Sequence, residues 1–140
     1  LLAALIHEGF DELKQAFVSV PAALPPRERL AALGLAYIEF ARQRPETFAL
    51  LFTQHTTRHT QLSEVQHGEN FYAVFRAAVV AILAKAPARQ IDYATYSFWA
   101  LVHGLAMLQI TFLQHFDANF PHLDPAIIAK FITGLGQQPS

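Results

Sequence analysis

Apolar residues recur every three to four positions along this chain, and no segment keeps a period-two alternation. The spacing predicts a first helix from about Leu2 to Val18, with Leu2, Leu5, Ile6, Phe10, Leu13 and Phe17 on one stripe. Pro21 and the Pro25-Pro26 pair break it. Pro26 suits the first turn of a second helix, where its missing N–H costs nothing. That helix, about Pro26 to Gln43, turns Leu30, Leu33, Ala36, Tyr37 and Phe40 inward. Pro45 stops it, because a proline disfavours helical geometry in the residue before it. A short third helix follows, with Thr47, Phe48, Leu51 and Phe52 near its apolar side. The polar, His-rich stretch from Thr53 to Gln61 reads as loop or frayed helix.

A fourth helix is expected over Ser63 to Lys85, carrying Phe71, Phe75, Val79, Ile82 and Leu83 inward, with a turn at Ala86-Pro87. The fifth, about Ala88 to Gln114, is the longest. Asp117 to Asp124 reads as a turn. Asp124-Pro125 then carries a start signal, an N-cap acceptor followed by proline at the first helical position. The sixth helix, Pro125 to about Leu135, displays Ile127, Ile128, Phe131, Ile132 and Leu135, and Gly134 and Gly136 close it. With no repeat, low-complexity tract or linker, the pattern predicts an all-α, single six-helix domain over residues 1–140.

The fifth helix is apolar on two sides. At about 100° per residue, Asp92, Thr95, Tyr96, Trp99, His103, Ala106 and Ile110 share one face. Tyr93, Ser97, Ala100, Leu101, Gly104, Leu108 and Thr111 share the opposite one. The first face is bulky and polar-tipped. The second is seamed with small residues that let a neighbouring backbone come close, and Gly104 reads as a packing residue of this kind. The domain core covers one side, and a second copy of the chain is expected to cover the other. The interface would be a four-helix bundle made by the last two long helices of each chain. Its expected residues are Ser97, Ala100, Leu101, Gly104, Leu108 and Thr111 with Ile128, Phe131, Ile132 and Leu135. The alternative is that the fifth helix is simply the central helix of a monomeric bundle.

Composition supports a hidden apolar surface. Hydrophobic residues make up 53% of the 140 positions and charged residues 15%, against a globular norm near ~25% charged. So few charges leave apolar surface expected to be buried against a second chain or around a ligand. The net charge of −1 and the scattered Lys and Arg leave no electrostatic footprint for nucleic acid. Cysteine is absent, which excludes disulfides, thiolate catalysis and Cys-based zinc sites. The opening Leu1-Leu-Ala-Ala-Leu-Ile lacks a basic segment before it and runs into His7, Glu8 and Asp11. It reads as an amphipathic helix cut from a longer protein rather than a signal peptide. Phe98 to Leu113 is too short and too polar for a membrane span. A soluble, cytoplasmic protein with no membrane partner is expected.

One segment carries a resemblance. Trp99-Ala-Leu-Val-His103-Gly104 resembles the Trp-x-x-x-His-Gly signature of one class of TetR-type C-terminal domain. Upstream, Leu33 to Phe52 is similar to the segment preceding that signature, with an Ala-Tyr-x-x-Phe-Ala helix (Ala36 to Ala41) meeting a Pro-x-x-Phe turn (Pro45 to Phe48). Leu1 to Phe10 is similar to the helix that follows the family's DNA-binding helices. The resemblance implies the ligand-binding and dimerisation domain of a TetR-family regulator, expected to be a repressor, without its N-terminal helix-turn-helix. DNA would be a partner only through that missing part. A small molecule entering the domain would alter DNA binding by the intact protein, with the first helix as the lever. Such a ligand must prefer one arrangement over another.

A pocket between the first five helices would be walled by Phe40, Phe48, Phe52, Phe71, Phe75, Trp99, His103 and Met107. Twelve Phe residues make an apolar or aromatic effector with one or two hydrogen-bonding groups the expected ligand; core filling is the competing role for each ring. His103, buried on an apolar face, needs a partner, either a backbone carbonyl, Tyr96 or a ligand. His55 and His59 stand four apart with His67 nearby, a spacing that can bind zinc or nickel on a helix. Surface histidines are the plainer reading there, so no metal and no cofactor is expected. No nucleophile elbow, phosphate loop or His-Glu-x-x-His is present, and no catalytic residue is assigned. Two other readings stay open: an interaction module without a ligand, and a small His-based metal-binding protein.

Overall fold

A computed structural model describes residues 1–54 and 71–136. Among these residues the chain is all-helical, with six α-helices and no strand. They are α1 (Leu2–Val18), α2 (Pro26–Gln43), α3 (Pro45–Ala49), α4 (Phe71–Ile82), α5 (Ala88–Ile110) and α6 (Phe120–Thr133). A π-helical turn, Leu50–Gln54, extends α3.

α2 is the hub, packed against every other helix. Its proline start and its stop at Arg44 before Pro45 follow the sequence signals. Leu30, Leu33, Tyr37, Ile38 and Ala41 are buried beneath it. Gly34 sets how closely it crosses α5: a Cβ there would lie 2.7 Å from Cζ of Phe98 and 3.1 Å from Cγ1 of Val102. The Arg27 side chain donates to the carbonyl of Ile132 at 2.5 Å, clasping the start of α2 to the end of α6.

α1 buries Gly9, Leu13 and Phe17, one residue per turn, with Ile6 and Phe10 beside them. Leu2 and Leu5, expected on this stripe, are about half exposed because the first turns of α1 overhang the core. α4 points Phe71, Tyr72, Phe75, Ala78 and Val79 inward; the part of the expected helix before Phe71 lies outside the described residues. α5 ends at Ile110, four residues earlier than expected. Leu113 N–H then bonds the carbonyl of Leu108 at 2.8 Å, a wider turn that closes the helix.

The sixth helix departs most from expectation. It begins at Phe120, with Pro121 in its first turn, so Pro125 lies inside the helix rather than at its start. Asn119 precedes it with φ 51° and ψ 55°, the left-handed conformation that asparagine tolerates better than most residues. Asp124 is therefore no N-cap. Its carboxylate turns inward, and Gln109 Nε2 donates to both of its oxygens at 3.0 Å. Among the described residues, no helix is long and apolar enough to cross a membrane.

Candidate functional site

Trp99 and His103 stand one turn apart on α5, so their side chains leave the same face. α2 crosses that face and brings Tyr37 up to both. The Trp99 Nε1–H donates to the Tyr37 hydroxyl at 3.1 Å, and that hydroxyl stands 2.7 Å from Nδ1 of His103. An indole can only donate, so its bond uses a lone pair of the phenol and leaves the phenol proton for the imidazole. Assigned on this network, Nδ1 accepts and Nε2 carries the ring proton. Charge agrees with this tautomer, because burial lowers the pKa of His103 and favours the neutral ring. Burial likewise raises the pKa of the Tyr37 hydroxyl, against a smaller lowering by the Trp99 bond.

Aromatic rings enclose this hydrogen-bonded unit. Phe48 meets Tyr37 edge-on at 5.3 Å, and Phe75 lies 5.7 Å from it. Phe52 is 4.8 Å from both Phe48 and the His103 ring. Phe71 approaches Trp99 to 4.9 Å. Each well-placed pair adds ~0.5–1.5 kcal/mol beyond the area it buries.

The π-turn ties the cluster to α1. Phe52 lies on it, and π-turns inside helices occur often at functional sites. α1 supplies Phe10, edge-on to Phe52 at 6.1 Å and stacked on Phe71 at 6.3 Å. One residue earlier, a Cβ on Gly9 would lie 2.9 Å from Cδ2 of Leu51 and 3.0 Å from Cγ2 of Thr47. Only glycine lets α1 lie this close to the turn.

Of the expected wall residues, Phe48, Phe52, Phe71, Phe75, Trp99 and His103 converge. Phe40 does not join them fully. It reaches Phe48 at 6.5 Å but also lines a groove between α1 and α2, beside Glu12, Gln15 and Arg44. Met107 packs half-buried on the core, one turn beyond His103. Tyr37 is the residue that sequence reasoning placed only as core. The signal that pointed to it was the unassigned partner of His103, which is neither a backbone carbonyl nor Tyr96. Tyr96 is exposed instead.

Beside the cluster, the Tyr72 hydroxyl and Arg76 Nε donate to Oδ1 of Asp92 at 3.0 and 2.8 Å, linking α4 to α5. Burial first, then the bond to Asp92 and its charge, pushes the Tyr72 pKa up to about 12. His55, His59 and His67 lie outside the described residues. Among the described ones, no three metal-ligating side chains gather.

The second face of α5 lies at the surface. Ala100, Leu108 and Thr111 are exposed, while Ser97, Leu101 and Gly104 are partly covered. Among the described residues, nothing beyond its own stretch of helix lies within 4 Å of where a Gly104 Cβ would be, so none of them makes the close helix crossing expected there. Phe131 on α6 and Leu135 just beyond its end are half-buried. Ile128 and Ile132, expected at the interface, are buried by the chain itself at 0% and 5% exposure. Ile128 faces Gly34 of α2, because starting the helix at Phe120 fixes which of its residues point inward.

Residues 30–129 match the family described as Tetracyclin repressor-like, C-terminal domain. The match spans most of the chain and takes in Tyr37, Trp99 and His103; the chain belongs to this family. Such domains are the ligand-binding and dimerisation part of transcription regulators. Neither a curated protein nor a solved structure matches the chain significantly.

Proposed function

We propose that residues 1–140 form one effector-binding and dimerisation domain of a transcription regulator, a repressor acting in the cytoplasm. A small hydrophobic or aromatic molecule enters the aromatic cluster and changes DNA binding by a protein that also carries a DNA-binding part. The observation that carries this reading is the neutral Tyr37–Trp99–His103 unit inside aromatic walls, in contact with α1 through the π-turn. A ring inserted at Phe52 pushes on Phe10, and movement of Leu51 pushes on Gly9. Either tilts α1, whose first turns overhang the core. The ligand shifts the equilibrium only by its preference for the tilted form.

The homodimer proposed here uses Ser97, Ala100, Leu101, Gly104, Leu108 and Thr111 of α5, with Phe131 and Leu135 at its edge. Support comes from the open space above Gly104 and from exposed Leu108, Phe112 and Phe116 alongside. The exposed apolar residues also favour a second reading, a dimerising interaction module with no ligand.

Hydrophobic compounds screened by melting temperature separate the two. The sensor reading expects some aromatic compounds to raise the melting temperature and to change the fluorescence of Trp99, the single tryptophan. If no compound across a broad aromatic set does either, the interaction module stands. DNA-binding assays on a protein carrying both parts then test whether an active compound alters operator affinity.

A further inference from the structure

The cluster carries information about the chemistry of its ligand. His103 spends Nδ1 as the acceptor for the Tyr37 hydroxyl, so the imidazole has one donor remaining, Nε2–H, on the far edge of the ring. The rings packed on Tyr37 are uncharged, which leaves a charged ligand group without a counter-ion among them. Phe52 covers the imidazole at 4.8 Å with planes 69° apart, and it does so from a π-turn rather than from a regular helix. Such a turn departs from regular α-helical pitch, a feature found frequently at functional sites. The Phe52 ring thus marks a place shaped for an aromatic ring beside a neutral hydrogen-bond donor.

We propose that the effector is a neutral aromatic molecule bearing a hydrogen-bond acceptor such as a ketone or ester carbonyl, its ring replacing Phe52 and its acceptor bound by His103 Nε2–H. This rests on the effector-site reading above. It ranks carboxylates and organic cations below the neutral ketone: among the described residues around the unit, Arg76 and Asp92 are already paired with each other, so a carboxylate meets no free counter-charge and a cation gains only the ring faces.

A matched set of probes tests it: naphthalene, 2-acetylnaphthalene, 2-naphthoate and a naphthyl trimethylammonium salt, titrated into the full chain at neutral pH with Trp99 fluorescence as readout. The ketone is expected to bind roughly five- to tenfold tighter than naphthalene, the worth of one neutral hydrogen bond. The two ions should bind more weakly than the ketone. His103→Phe should bring the ketone down to the affinity of naphthalene. Phe52→Ala should leave a hole that both neutral probes fill, tightening them several-fold. Tightest binding by either ion, or equal binding of ketone and naphthalene, overturns the proposal while leaving a ligand-binding domain. Weaker neutral binding to Phe52→Ala overturns the replacement of Phe52. If His103→Phe fails to fold, the order of the four probes on the unmodified chain decides alone. If none of the four changes fluorescence or melting, the effector-site reading itself fails.

Discussion

The Tyr37 hydroxyl meets Nδ1 of His103 at 2.7 Å, across 66 positions of sequence. The same hydroxyl receives the indole N–H of Trp99. The four-residue step between Trp99 and His103 therefore has a geometric purpose. It sets two ring side chains on one face of α5, both within reach of a single phenol on α2.

Tyr37→Phe removes only that oxygen and orphans two part-buried polar groups. A loss of about 1–3 kcal/mol is expected in urea unfolding, more than an ordinary hydrogen bond contributes net. Trp99→Phe removes one of the orphans in advance. The double variant should be less destabilised than the sum of the singles, and strict additivity would show that the bond carries no energy.

Much of this fold was legible in the chain, because proline placement and 3.6-residue periodicity are local signals. Pro26 and Pro45 bound α2 as read, and α5 begins at Ala88. Asp124-Pro125 misled for an instructive reason. An Asp-Pro pair is a capping signal only when the carboxylate faces the helix N-terminus, and here Gln109 draws it into the core. That partner lies on another helix, beyond any local rule. The site was half legible for a similar reason. His103 and Trp99 share a helix, whereas Tyr37 reaches them only through the α2–α5 crossing.

That crossing depends on Gly34. A Cβ there would come 2.7 Å from Phe98, itself fully buried. Gly34→Ala should destabilise by about 1–3 kcal/mol despite its better helix propensity, since overpacking outweighs the ~1 kcal/mol propensity gain. A melting temperature unchanged or raised would show that α2 and α5 can separate freely.

Acid should loosen the site through His103. Burial holds the folded pKa below the ordinary value of 6.5, so the unfolded chain takes up protons first as pH falls. Stability is full above about pH 6.5 and declines from there down to the folded pKa, below which the loss is complete. The slope cannot exceed ~1.4 kcal/mol per pH unit, and the half-exposed ring makes it shallower. Urea midpoints between pH 5 and 8 should show this slope in the unmodified chain. It should be shallower in His103→Phe; identical slopes would remove His103 from the account.

Asp124 works in the opposite sense. Burial raises its pKa despite the Gln109 bond and the Arg42 charge. Its proton is bound more tightly in the folded state, so its contribution weakens as pH rises from the ordinary carboxylate pKa through the raised one. Gln109 Oε1 is meanwhile buried without a hydrogen-bond partner. Asp124→Asn removes the buried charge and can donate an amide N–H to that oxygen. A gain of about 1 kcal/mol at pH 7 is expected, vanishing toward pH 4. A loss at pH 7 would mean that the pull of Arg42 outweighs burial.

Gly104 separates the protomer from the proposed dimer. Among the described residues, nothing beyond its own stretch of helix comes within 4 Å of a Cβ at this position, so Gly104→Arg should leave the melting of the isolated protomer unchanged or slightly raised. In a dimer packed through this face, the same arginine buries an unpaired charge against the partner helix. A cost of 2–5 kcal/mol or so raises the dissociation constant roughly 30-fold or more. Sedimentation velocity at micromolar concentration should find a dimer for the unmodified chain and a monomer for Gly104→Arg, with the same helical content in both. Ile128→Arg serves as the contrast, since Ile128 is fully buried by its own chain and its replacement should unfold the protomer. A dimer that survives Gly104→Arg would move the interface off this face of α5.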